Sequence, residues 1–187
     1  MSTTTAPEKI RRTWHVDPQH VEVGFAVRHL MISTVKGHFR AVTGVVRTEA
    51  DDFTAAEVEL TIEARSLETR DEARDAHLRS ADFFDVDQYP TLTFKSRRVT
   101  APTKHHYVVV GDLTIHGVTR EVSLDVVAEG VARDPWGNEK AGFHATGSIN
   151  RKDFGLVWNV ALETGGVLVG DEVKLNLDIE LTRQKDE

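Results

Sequence analysis

The residues of this chain best suited to chemistry are its nine histidines and the charged run at 70–80, Arg-Asp-Glu-Ala-Arg-Asp-Ala-His-Leu-Arg-Ser. Read as a helix, that run sets Arg70 four residues from Arg74 and Arg74 three from His77, so the three share a face. At a cavity mouth such a face would meet a polar or phosphorylated headgroup, because guanidinium forks match phosphate oxygens. The plainer alternative is a solvated helix knitted by ion pairs. His29 closes an alternating apolar run, which makes it either an orienting polar group inside a cavity or a hydrogen-bonded core histidine. His20, His38, His116 and His144 are scattered without His-x-His or His-Glu-x-x-His spacing, and His105-His106 reads as an exposed turn. A metal centre would therefore need histidines brought together by the fold alone.

Other chemistries find little support. With no cysteine there is no disulfide, zinc thiolate or Cys nucleophile. No Gly-x-Ser-x-Gly elbow surrounds any serine. The glycine-rich stretch at 163–170 lacks dinucleotide or phosphate-loop spacing and reads as a turn. Arg151-Lys152-Asp153-Phe154-Gly155 is a corner between strands rather than a nucleic-acid patch. Lys and Arg number 23 against 30 Asp and Glu, and the net charge of −7 argues against nucleic acid or an anionic membrane as partner.

The elements that must position these residues have a period of two. Val21, Val23, Phe25 and Val27 alternate with polar or small residues, as do Val58, Leu60 and Ile62, then Val122, Leu124 and Val126, then Val173, Leu175, Leu177 and Ile179. That is the signature of antiparallel strands with one wet face. Further strands are expected near 37–48, 91–99, 105–115 and 142–150, with turns at Ala101-Pro102, His116-Gly117, Asp134 to Asn138 and Gly165-Gly166. About eight strands suit a barrel or a sandwich. Residues 66–90 break the rhythm and hold one helix at about 70–80 before a loop ending at Tyr89-Pro90; 151–169 is a second irregular stretch. The chain is expected to form one domain over 14–183, with a disordered N-terminal tail at 1–13 and a C-terminal tail at 184–187. No run of apolar residues is long enough for a membrane span or a leader, so a cytoplasmic protein without stable membrane insertion is expected. Small residues at positions taken as inward, namely Ala41, Thr43, Ala64, Gly111, Ala145 and Gly147, would leave an eight-strand barrel partly hollow.

Several segments, in this order and spacing, resemble the YceI-like family: Asp17 to His29 (DPQHVEVGFAVRH), Val35 to Phe39 (VKGHF), Arg74 to Val86 (RDAHLRSADFFDV), Tyr89 to Ser96 (YPTLTFKS), Gly111 to Thr119 (GDLTIHGVT) and Arg151 to Gly155 (RKDFG). The resemblance implies a mainly β fold, an eight-stranded antiparallel lipocalin-like barrel with one short helix, enclosing a long hydrophobic tunnel. It further implies a polyisoprenoid or related amphiphile as ligand, and a homodimer. The contacts implied are Val23, Phe25, Val27, His29, Phe39, Ile62, Phe94, Leu113 and Ile115 on strands, Arg74, His77 and Leu78 on the helix, and Phe83, Phe84, Phe154 and Trp158 on loops. The chain departs from the family where Val21 follows His20, since the family usually has a serine there.

Three functions are compatible with these residues. The first is a carrier of an isoprenoid, isoprenoid quinone or fatty-acid-like lipid, with no catalytic residue, metal or other cofactor. The second is an enzyme acting on such a substrate through a cavity histidine. The third is an interaction module whose barrel is packed solid by its own side chains.

Overall fold

Alternation makes the strands, and the computed structural model describes residues 10–185. In chain order the strands are β1 (Arg11–His29), β2 (Ser33–Phe39), β3 (Val42–Glu49), β4 (Asp52–Glu63), β5 (Leu67–Glu68), β6 (Thr91–Thr103), β7 (His106–Ile115), β8 (Val118–Arg133), β9 (Glu139–Asn150) and β10 (Val169–Arg183). Among the described residues one α-helix, α1 (Glu72–Arg79), lies between β5 and β6. Asp71 caps it, its side chain accepting from the Arg74 N–H at 2.9 Å.

Neighbouring strands pair in the order β1, β3, β4, β6, β7, β8, β9, β10, and β10 pairs back with β1, so these eight close an antiparallel barrel. β1 is long enough to serve two partners. Its first part pairs with β3, from Arg11↔Glu49 to His15↔Val45, and its second with β2, from Val23↔Phe39 to His29↔Ser33. β2 carries β5 on its far side as a short flap. β1 thus begins at Arg11, and residues 11–13, expected in the N-terminal tail, belong to the sheet; Ile10 precedes the strand and is exposed, and the rest of that expected tail, 1–9, lies outside the described residues.

The strand expected at 37–48 is two strands. Arg40 and Ala41 interrupt it, with Arg40 N–H donating to Ser66 O at 3.4 Å and Ala41 O accepting from Glu63 N–H at 2.9 Å. The break shifts the phase of the alternation. Gly37 and Phe39 are buried before it, and Val42 and Val46 after it. A one-residue slip exchanges the faces of a strand. Thr43 is accordingly exposed, and Ala41 falls between the strands, so neither is a small inward strand residue.

Closure between β1 and β10 is irregular between Val27 and His29 and again between Val16 and Val21. Asp17 sits there, and its carboxylate accepts from the Lys140 ammonium of β9 at 2.6 Å, while Glu180 of β10 lies 3.1 Å from the same ammonium. The bond from Lys140 holds Asp17 down at about 2; burial opposes this, and Gln19 N–H and His20 assist it. A depressed folded-state value means that the contribution is full above the ordinary Asp range and is lost as pH falls from about 4 towards 2. Asp17→Asn is therefore expected to cost about 1 kcal/mol at neutral pH, and wild type and variant to converge below pH ~2 in urea unfolding across pH.

Candidate ligand cavity

Closing the sheet brings the inward apolar positions around an axis, and they do not fill it. Two apolar cavities lie along the barrel. Counting the open solvent at their mouths, the larger holds about 1050 Å³ of space not occupied by atoms, and the smaller about 700 Å³. Leu60 of β4, Phe94 of β6, Leu124 of β8 and Leu177 of β10 line both, so the chambers abut at a shared waist.

Most of the expected ligand contacts are placed on the wall of the larger chamber. β1 contributes Val23, Phe25 and Val27, β2 Phe39, β4 Ile62, β6 Phe94, and β7 Leu113 and Ile115; α1 contributes Leu78, and the loop after it Phe83 and Phe84. The others stand off the wall. His29 ends β1, where its carbonyl accepts from the Ser33 hydroxyl at 3.2 Å. The Arg74 guanidinium is turned to Thr69, donating to Thr69 Oγ1 and O at 2.7 Å each, so it does not face a cavity mouth. Phe154 is buried in the core within a short 3-10 helix, Arg151–Phe154. His77 and Trp158 stack edge to face at 4.6 Å, and both rings touch Phe83, at 5.1 and 5.4 Å. His77 Nε2 lies 2.8 Å from Asp82, behind the Phe83 ring that lines the chamber.

Sequence reasoning missed the waist as a unit and the whole smaller chamber, which Val46, Phe53, Val58, Val109, Phe143 and Ile179 help to line. The strand signal was present, because Leu60, Leu124 and Leu177 all belong to alternating apolar runs, but only the run of Leu60 held an expected contact, Ile62. Burial pushes the Tyr107 phenol on the smaller chamber's wall up from its ordinary value, with the Asp52 charge adding to it, so the ring presents a neutral group.

Glycines keep the waist open. A side-chain carbon on Gly44 would fall 2.5 Å from Leu60 Cδ2, one on Gly111 2.6 Å from Phe94 Cζ, and one on Gly147 2.7 Å from Leu124 Cδ2. Each large waist residue thus lies back over a glycine of the next strand, and Leu177 pairs with the small Ala145. Alternating large and small inward residues is how small barrels adjust their bore. The ends are aromatic. Trp14, Phe53 and Phe143 pack in sequence at 5.5 and 5.1 Å beside the smaller chamber, and Phe25, Phe39 and Phe84 at 5.8 and 5.7 Å beside the larger.

One charged residue, Arg151, borders these walls, and its donors are already used. Nε donates to Gly170 O at 2.8 Å, Nη1 to Leu156 O at 2.6 Å and Trp158 O at 3.0 Å, and Nη2 to Val169 O at 3.3 Å. Burial pushes its pKa down, Asp171 opposing, yet the side chain staples the loop that covers this end of the barrel. Among the described residues, one group of three potential metal ligands comes together, Asp17, His20 and Glu180. The Lys140 ammonium binds both its carboxylates, so a cation of the protein's own already serves that cluster.

A closed antiparallel barrel around an apolar, two-chambered bore defines a lipocalin-like architecture. Residues 14–181 match the YceI-like domain, and the chain belongs to the YceI-like family. UPF0312 protein SA2479 of Staphylococcus aureus (strain N315) is 41% identical over 167 residues, 89% of this chain and 95% of that protein. A crystal structure of the Campylobacter jejuni YCEI protein, 32% identical, matches 85% of this chain and 90% of its own with a TM-score of 0.69. A domain of Saccharophagus degradans described as polyisoprenoid binding shares the fold at 13% identity, with a TM-score of 0.67 over 91% of this chain and 98% of that one.

The glycine contacts differ in kind, which makes them testable. At Gly111 an added carbon also meets the Lys95 carbonyl at 2.5 Å, whereas at Gly147 the nearest atom is the mobile end of Leu124. Gly111→Ala is expected to destabilise by about 1–3 kcal/mol, and Gly147→Ala by less, in urea unfolding.

Proposed function

We propose that this protein binds and carries one long, chain-like apolar ligand, an isoprenoid, isoprenoid quinone or fatty-acid-like lipid, threaded through both chambers. The observation that carries this reading is the pair of apolar chambers meeting at a glycine-backed waist. A compact ligand would need one chamber, whereas an extended chain uses the bore between them. Each methylene withdrawn from water contributes roughly 0.8 kcal/mol. Ten such units give ~8 kcal/mol against ordering costs of several kcal/mol, so useful affinity needs few polar contacts.

The wall chemistry favours binding over catalysis. General acid–base work needs a titrating group within hydrogen-bond reach of the substrate. His77 has an orienting carboxylate in Asp82, but neither it nor His29 lines either chamber, whereas the Phe83 ring it touches does. Arg151 is committed to four backbone carbonyls. The Saccharophagus degradans domain described as polyisoprenoid binding has the same barrel, which accords with this reading.

Native mass spectrometry of the protein, followed by organic extraction, is expected to show a stoichiometric lipid. Added octaprenol at about a hundredfold its Kd is expected to stabilise by ~2.7 kcal/mol, raising Tm by roughly 5–10 °C. Gly147→Ala, which pushes Leu124 into the waist, is expected to weaken octaprenol binding far more than farnesol binding. Protein that takes up neither prenol would overturn the carrier reading; equal loss of both would remove the waist from it.

A further inference from the structure

We infer that the tip of the β1–β2 hairpin, with the loop packed beside it, docks on the surface of a lipid bilayer. The tip is Leu30-Met31-Ile32, exposed by 38%, 56% and 80%. Leu30 and Met31 hold φ of +53° and +64°, the left-handed region that favours Gly, Asn or Asp in hairpin turns. The β7–β8 hairpin meets the same demand conventionally, with His116 at +53° and Gly117 at +72°. At the β1–β2 turn, strain is accepted in order to display large apolar side chains in water, and such local strain marks functional positions.

The patch is larger than the tip. Leu30 N–H donates to Leu168 O at 2.8 Å, Leu168 N–H donates to Val160 O at 2.9 Å, and Gly166 lies directly against Met31. This arrangement sets Val160, 46% exposed, near the tip, and Val157, 62% exposed, stands on the same loop. The surface is continuous with the bore. Val169 pairs with His29 and Val173 with Val27, and Val27, Val169 and Val173 line the larger chamber just behind the patch.

A bilayer is the occupant these features suit. The apolar side chains sit on a hairpin tip beyond its last cross-strand pair, His29↔Ser33, a form that enters a lipid interface without spanning it. Residues 28–36 carry Arg28 and Lys36 and no acid, and 154–168 of the neighbouring loop carry a single charge, Glu163, so cations outnumber acids beside the tip where phosphate headgroups would lie. The overall charge of −7 argued against an anionic membrane, but these segments taken together do not contribute to it. The purpose of docking, loading a water-insoluble chain, rests on the carrier reading; the docking itself is measured independently.

The test is flotation of the full chain with vesicles of phosphatidylcholine and phosphatidylglycerol in equal parts, with octaprenol uptake measured separately without vesicles. Wild type is expected to float with the vesicles. The double substitution Leu30→Asn with Met31→Gly suits the turn and removes the apolar tip. It is expected to raise Tm while cutting vesicle binding roughly tenfold or more. Ile32→Asp is expected to lose vesicle binding and to keep octaprenol uptake. Wild type that takes up octaprenol but stays off vesicles overturns the docking inference, and so does a double variant that floats equally well. A concentration-dependent dimer lost in the variants, without flotation of wild type, assigns the patch to a second copy and overturns it too. Failure to take up octaprenol, whatever the flotation result, counts against the carrier reading alone.

Discussion

An eight-strand barrel has nearly fixed girth, so its interior is decided by where bulk sits on the inward positions. In this chain the decisive contact is steric: Leu60, Phe94 and Leu124 lie over Gly44, Gly111 and Gly147 instead of meeting across the axis. The small residues therefore act differently from simple gaps. The space before each of these glycines is occupied, and the vacancy appears at the axis, from which the neighbouring side chain has been withdrawn. Gly37 repeats the device near the wider end, where an added carbon would fall 2.5 Å from the Phe25 ring.

Around this apolar bore the polar groups are satisfied outside it. Asp75 is buried, yet its carboxylate accepts from both Thr69 N–H and the Thr69 hydroxyl, which fastens α1 to the strand before it. Arg151 does the same for the loop after β9, where four carbonyls share one guanidinium and one of them, Val169 O, also accepts from Asn159 Nδ2 at 2.7 Å. Apart from Tyr107 and Arg151 the wall can be apolar because its supports carry the hydrogen bonds one layer further out. That division also leaves the charged helix face and the histidines, prominent in the sequence, off the chamber walls.

Barrel, helix and most of the wall were legible because alternation is a strong local signal and the inward face of a regular strand follows from it. Phe25, Ile62, Leu113 and Ile115 could be placed that way. Thr43 could not, because the phase slip at Arg40-Ala41 depends on pairing with distant segments, Ser66 and Glu63, that no local pattern reports. The facing of Arg74 was equally hidden: helical spacing says which residues share a face, not that Thr69 stands in front of it. The smaller chamber went unseen because its wall, from Val46 to Leu181, is assembled from strands far apart in sequence.

The closing strand has a consequence for how the molecule comes into being. β10 follows all the other strands in chain order, yet it contributes Val173, Leu175, Leu177 and Ile179 to the bore and pairs with β1. Before that pairing forms, β1 to β9 make an open trough with its greasy face in water, and the contacts that seal it span most of the sequence. Such non-local closure is slow and leaves the intermediate prone to aggregation. An apolar ligand present at that moment would cover the trough while the last strand docks, and would so act as a folding template for the barrel that encloses it.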